Sequence, residues 1–127
     1  MDMRSNWKYK AMSTREVGTN YELLAEQFLQ EKGMLPLARN QRIRYAEIDL
    51  ILKDGEYLVF VEVKYRRNQN FSQILEQLRI SQLERIKHAA KVWMTIEDIV
   101  EHQTSCRFDL VTITGEPFHI EWFKDAF

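Results

Sequence analysis

The sequence predicts an α/β domain in which a mixed β-sheet is flanked by helices. Three features carry this reading: an amphipathic helical stretch, an unusually apolar β-hairpin, and a second helical stretch followed by two more strands. In the first, Tyr21, Leu24, Ala25, Phe28 and Leu29 fall at i, i+3, i+4, i+7 and i+8, a single apolar stripe. Ser13-x-x-Glu16 and Thr19-x-x-Glu22 both have capping-box form, so two starts compete for this helix. Gly33 offers a left-handed stop, and residues 34–37 begin an extended segment with Pro36 early in it. Residues 39–44 read as the first strand of a three-strand meander. Residues 47–52 and 57–65 are rich in β-branched and aromatic side chains, and Asp54-Gly55 between them is a hairpin turn signal. Residues 72–96 return to helical spacing, with Leu83, Ile86, Ala90, Trp93 and Met94 on the apolar side. Two further strands, 107–114 and 118–123, meet at Gly115-Glu116-Pro117. The order is helix, three-strand meander, helix, two C-terminal strands, without repeats or a linker.

Composition narrows the class. A chain of 127 residues has material for one core, and 45% hydrophobic with 29% charged residues is ordinary for a globular domain. The lone Cys106 excludes an internal disulfide and a cysteine-rich zinc site. The N-terminus lacks the apolar core of a signal peptide, and no apolar run nears the ~18 residues of a membrane span. The expected location is therefore the cytoplasm, with no membrane partner. Residues 1–15 are expected to form a flexible basic arm, in which Arg4, Lys8, Lys10 and Arg15 alternate with Trp7 and Tyr9; residues 16–127 form the single domain. The net charge of −1 is unevenly spread: residues 1–96 carry 16 Lys/Arg against 12 Asp/Glu, and residues 97–127 carry two against seven. If acids in the first part share one metal site, the surface around them is more basic than the total suggests.

Strand alternation allows the faces of the hairpin to be counted. A two-residue Asp54-Gly55 turn would pair Lys53 with Glu56, Asp49 with Phe60 and Glu47 with Glu62. Asp49, Glu62, Lys64 and Glu47 would then project from one face, with Asp49 and Glu62 as diagonal neighbours about 7 Å apart. Two like charges ~6 Å apart repel by roughly 3 kcal/mol at an effective dielectric of about 20, and burial adds a desolvation cost. A divalent cation removes both objections, and an all-oxygen ligand set suits Mg²⁺ or Mn²⁺. Lys64 would place a fixed positive charge beside the ion. The same spacing fits a Glu62–Lys64 salt bridge on a solvent-facing sheet, against which Leu58 and Phe60 on the same face argue. On the helical wheel Glu22 lies at the edge of the apolar stripe and Glu26 further out, so Glu22 is either a third acid or a surface glutamate. His88, His102 and His119 have no metal-ligand spacing, and isolated glycines form no phosphate-cradling loop.

Asp49 followed by Glu62-Val63-Lys64 resembles the PD-(D/E)XK motif of restriction-endonuclease-like nucleases, and the Glu22 helix is similar to that of archaeal Holliday-junction resolvases. From about Gly18 to Phe127 the chain resembles the YraN family of small bacterial proteins, related to those resolvases. The matching segments are Gly18-x-x-x-Glu22, Asn40-x-Arg42, Glu47-Ile-Asp-Leu-Ile51, Val59-Phe-Val-Glu-Val-Lys-Tyr-Arg66, Arg107-Phe-Asp-Leu-Val111 and Lys124-Asp-Ala-Phe127. Ala46, Ser72 and Gln82 stand where that family usually has Gly, Gly and Lys. The resemblance implies a restriction-endonuclease-like fold, a Mg²⁺ or Mn²⁺ ion on Asp49, Glu62 and Glu22, and Lys64 as the catalytic lysine, with Glu47 in support. The expectation is a metal-dependent endonuclease acting on DNA, with branched, junction-like or single-stranded DNA as candidate substrates. Arg42, Arg44, Arg66, Arg67, Arg85 and Lys91 are the candidate cations for its phosphates, and a homodimer is admitted. The alternatives are a non-catalytic nucleic-acid-binding module on the same fold, and a protein-interaction adaptor using the acidic 97–127 segment.

Overall fold

A computed structural model describes residues 20–66, 79–115 and 117–127. The expected basic arm, the Ser13/Glu16 pair, Thr19, Arg67 and the first residues of the second helical stretch lie outside the described residues.

Helix α1 spans Tyr21–Glu31, and its cap is Asn20, whose side-chain oxygen accepts the Leu23 N–H at 3.1 Å. The cap is thus neither of the two expected residues. At the other end Gly33 (φ +94°) donates to the Gln30 carbonyl and Met34 donates to that of Leu29. This is a Schellman closure, with Met34 and Leu29 sharing the core beneath it.

Strands β1 (Leu35–Ile43), β2 (Ala46–Asp54) and β3 (Tyr57–Arg66) form the expected meander. Helix α2 (Ile80–Ile96) and a short 3₁₀ turn (Glu101–Gln103) lead to β4 (Cys106–Thr114) and β5 (His119–Phe123). The strands lie in the order 1-2-3-4-5, antiparallel except for the parallel β3–β4 pair that α2 connects. Leu50, Leu52, Val59, Val61, Val111 and Ile113 face α1; Ile51, Leu58 and Phe60 face Ala89, Ala90, Trp93 and Met94 of α2. Both faces of β3 are therefore covered, which explains its unbroken apolar run from Leu58 to Val61. The result is the α/β architecture with a five-stranded mixed sheet that the sequence predicts, consistent with a nuclease-like fold. No helix among the described residues is long and apolar enough to cross a membrane.

The hairpin register differs from the expected one. Asp54 closes the turn against Tyr57, so Lys53 pairs with Leu58 and Ile51 with Phe60, two positions out of step with the Lys53–Glu56 pairing. The cause is local: Gly55 takes φ +60° as the first of two turn residues and Glu56 keeps a negative φ, the sign pattern of a type II′ turn, where glycine belongs first. A slip of two leaves every side chain on its expected face.

The C-terminal motifs meet in a second polar centre on the sheet. Asp109, fully buried, accepts Nε and Nη2 of Arg107 (both 2.9 Å), the Trp122 indole N–H (2.9 Å) and the Asp125 backbone N–H (2.9 Å). Arg107 also reaches Asp54 at 2.8 Å and lies over the Tyr57 ring. Ala126 donates to the Phe108 carbonyl and Phe127 packs on the Phe108 ring. One buried acid thus ties β5, the tail and the β2–β3 turn to β4, which is why both the Arg107–Val111 and Lys124–Phe127 segments carry pattern. Asp109 belongs to the fold.

Two stability predictions follow from these contacts. Asp109→Ala leaves the largely buried Arg107 guanidinium with Asp54 alone and the Trp122 indole N–H without its acceptor, and is expected to cost about 3 kcal/mol in urea unfolding. Asp98 closes α2 in the left-handed region (φ +60°), with Asp98 and Ile99 donating to Thr95 and Met94 as Gly33 and Met34 do for α1. It also places a negative charge at a helix C-terminus. Asp98→Gly is expected to gain about 1 kcal/mol, read as a melting temperature higher by roughly 4 °C.

Candidate metal centre

The centre forms where β2 parts from β3 while staying paired with β1. Leu50 and Leu52 face α1 and Ile51 faces α2, as alternation requires, yet Ile48 packs with the α2 cluster instead of with Leu50. The pairing of β2 with β3 ends at Leu50–Val61, and on the other side the ladder passes from Arg39–Leu50 to Gln41–Ile48, skipping Asn40 and Asp49. Asn40 there adopts φ +52°, a conformation that asparagine tolerates better than most residues. Asp49 therefore has no ladder partner on either side, and its Oδ2 accepts the Val63 N–H at 2.8 Å, a side chain doing the work of a backbone carbonyl.

This twist corrects the expectation that Glu47, Asp49, Glu62 and Lys64 share one face. Asp49 sits in the seam between β2 and β3. Carboxylate oxygens of Glu47 and Asp49 come within 4.8 Å of one another and of Glu22 on α1. Glu62, 7% exposed, adjoins this trio by a side-chain hydrogen bond to Asp49. Lys64 holds its Nζ 3.9 Å from Glu62 Oε1. The diagonal Asp49–Glu62 neighbours of the sequence reading are in direct contact, and Glu47, expected only in support, is part of the tightest cluster. Glu22 is positioned by the base of α1: the Tyr21 ring stacks on Tyr65 of β3 with centroids 3.8 Å apart. Glu26, placed further out by the helical wheel, is 1% exposed and faces Arg39 at 3.5 Å. Burial of Glu26 against a strand cation was invisible to a wheel drawn from apolar residues alone.

Electrostatics follow from the crowding. Burial first, then the charges of Asp49 and Glu47, push Glu22 up to about 7, although Asn40 and Arg39 pull the other way. Burial, then the hydrogen bond and charge of Asp49, push Glu62 up to about 9 against the opposing pull of Lys64. At neutral pH Glu62 is held protonated and Glu22 about half so, and a cation placed among these acids would relieve their repulsion. The donors are all carboxylate oxygens, they converge from two elements, and a cleft of about 240 Å³ opens onto Glu47, Asp49 and Glu62. Glu22, Glu47 and Asp49, with Glu62 beside them, fit a hard divalent ion such as Mg²⁺ or Mn²⁺.

The expected cations divide. Arg85 lines the same cleft as Asp49 and Glu62. Arg44 lies at the neighbouring β1–β2 turn, and Arg42, exposed, is paired with Glu47 across β1–β2. Arg66 follows Lys64 on β3 and donates to the Tyr65 carbonyl. Lys91 does not join them: it pairs with Glu101 at 3.9 Å, beside a separate cavity. Two residues that sequence reasoning missed complete the surroundings. Asn40 caps Glu22 with a hydrogen bond, and Tyr45 borders the acid cleft. Asn40 lay within a quoted motif, so a signal existed; Tyr45 had none.

Comparison with known proteins places the chain among bacterial relatives. The model of the uncharacterised protein family UPF0102 matches residues 21–113. A UPF0102 protein of Idiomarina loihiensis is 41% identical over 110 residues, covering 87% of this chain and 95% of its own. Those of Serratia proteamaculans (40%) and Yersinia pseudotuberculosis (41%) align over 116 residues, covering 91% of this chain and 97% of theirs. The matched span runs from the Tyr21 that anchors α1 to Ile113 of β4 and so includes every carboxylate of the centre, and on that evidence the chain belongs to UPF0102, the YraN family.

Proposed function

We propose that this protein is a metal-dependent nuclease that hydrolyses phosphodiester bonds in DNA. The observation that carries the reading is the gathering of Glu22, Glu47, Asp49 and Glu62 where β2 and β3 part, with Lys64 alongside. Glu22, Glu47 and Asp49 would hold Mg²⁺ or Mn²⁺, with Glu62 as a further ligand. When bound, the ion supplies Lewis acidity towards a phosphate oxygen and a more acidic water. The remaining work falls to the chain. The Lys64 ammonium, 21% exposed and leaning on Glu62, can donate to an attacking water or to a phosphate oxygen as negative charge grows there. Arg85, which also lines the cleft, offers a planar donor pair to a neighbouring phosphate. Val63 fixes Asp49 through its N–H, so the central acid cannot rotate away when its neighbours ionise.

The decisive comparison is wild type against Asp49→Asn, which can still accept from Val63. Calorimetric titration with Mn²⁺ should show binding that the variant loses. Cleavage of branched, flapped and single-stranded DNA should disappear with it. Metal binding that survives the substitution, or wild-type protein that cuts no member of the panel at any Mg²⁺ or Mn²⁺ level, overturns the proposal. DNA binding without cutting would favour a non-catalytic module.

The raised acids give an independent readout. Without metal, the folded protein holds protons on Glu22 and Glu62 that the unfolded chain releases near 4.5. These groups favour the fold fully below that value, and their contribution is lost as pH rises through about 7 and then about 9. The melting temperature of metal-free protein should therefore fall across that window. Mn²⁺ should restore more of it at the alkaline end than at the acid end. Asp49→Asn removes the central charge, so it should flatten the fall and melt higher than metal-free wild type at mildly alkaline pH.

A further inference from the structure

Beside the acid cleft lies a groove of about 480 Å³ that the nuclease reading leaves unused. It is lined by Ile43, Arg44, Tyr45 and Ala46 at the β1–β2 turn and, on the α2 side, by Glu84, Arg85 and His88 among others. The size falls in the roughly 300–1,000 Å³ range of small-molecule clefts. Tyr45, Ala46 and Arg85 also line the acid cleft, so the two spaces adjoin. Tyr45 is 93% exposed, more than any other large apolar side chain among the described residues. A ring in that position adds nothing to the core. Arg44 next to it holds φ +54°, a conformation glycine would adopt without strain.

We propose that Tyr45 and this groove hold an unpaired base of the DNA strand beside the scissile phosphate, so that single-stranded or frayed DNA is preferred to fully paired duplex. The placement of the phosphate rests on the nuclease reading; the base site rests on the groove itself. An exposed aromatic ring is a stacking platform for any base whose partner face is free, and bases inside a duplex are not free. Arg44 and Arg85 supply positive charge on both sides of the entrance to a phosphate backbone passing towards the acids. Glu84 on the α2 wall repels phosphate and accepts hydrogen bonds, which favours a base edge as the inner occupant. Ile43 and Ala46 give the lining an apolar part that suits a flat ring.

The test is equilibrium binding of fluorescent single-stranded and blunt duplex oligonucleotides of equal length, measured in EDTA so that no cutting occurs. Tyr45→Ala should weaken single-strand binding about 5- to 100-fold, leave duplex binding unchanged and leave the salt dependence of binding as in wild type. Tyr45→Phe, which keeps the ring, should bind like wild type. Arg44→Gly should melt higher than wild type yet bind more weakly, with a salt slope reduced by about one. Equal losses on single strand and duplex, or no loss on either, overturn the proposal. A protein that grips single strands through Tyr45 but never cuts would sink the nuclease reading and leave the base site standing. One that cuts normally after Tyr45→Ala, with unchanged single-strand affinity, would do the reverse.

Discussion

Carboxylates from α1 and β2 are forced within 4.8 Å of one another, with Glu62 of β3 against Asp49, and the local backbone is arranged around that repulsion. At the 4.8 Å limit of separation each ionised pair costs about 3–4 kcal/mol at an effective dielectric of about 20. A protein has few ways to bear this. It can separate the strands, protonate some acids, or bring in positive charge. The chain does the first at Asp49, which has left both ladders, and the second at Glu22 and Glu62, whose protons are held to about 7 and about 9. The third is only begun by Lys64, at 3.9 Å from Glu62. What is left over is a deficit of positive charge with a defined position.

Asp109 shows what the same fold does with an acid it means to neutralise. That carboxylate is buried more completely than any member of the cluster, yet two bonds from Arg107, one from Trp122 and one from the Asp125 backbone occupy it. Arg107 is in turn held firmly protonated by Asp109 and Asp54. Both centres lie on the same sheet, and Glu62 and Asp109 are one position apart in the β3–β4 register. Burial alone therefore does not distinguish them. The difference is saturation: one acid has protein donors at every turn, while the others have chiefly one another. That difference separates an acid that builds the sheet from acids whose repulsion the described residues leave largely unrelieved.

Much of this was legible in the sequence, and what was lost has local causes. The helical stripe of Tyr21 to Leu29 and the apolar run of β3 gave element order and layering because burial on one or two faces leaves a periodic trace. The hairpin register came out two positions off because a turn signal names the glycine but not its place within the turn. The face count survived that slip, since alternation has period two, and failed instead at Ile48, where the strand twists. No pattern of apolar residues marks such a twist; only the skipped Asn40–Asp49 pair reveals it. Glu26 was misjudged for a related reason. A helical wheel orders residues by angle and cannot show that Arg39 on β1 makes burial of a glutamate tolerable.

The β1–β2 hairpin holds two of the four non-glycine residues at positive φ among the described residues, Asn40 and Arg44. Asp49 beside them is unpaired in both ladders, and Tyr45 gives its ring to solvent. By contrast β3 and β4 pair without a break from Leu58–Cys106 to Arg66–Thr114, and the Asp109 hub locks the chain's end onto that pair. Strain and repulsion are tolerated where a regular, doubly covered sheet over-determines the surrounding backbone. A regular pairing at Asp49 would have turned its carboxylate to one face and parted it from Glu22 on the other. The irregular strand is thus what lets acids from opposite layers of the fold reach a single point.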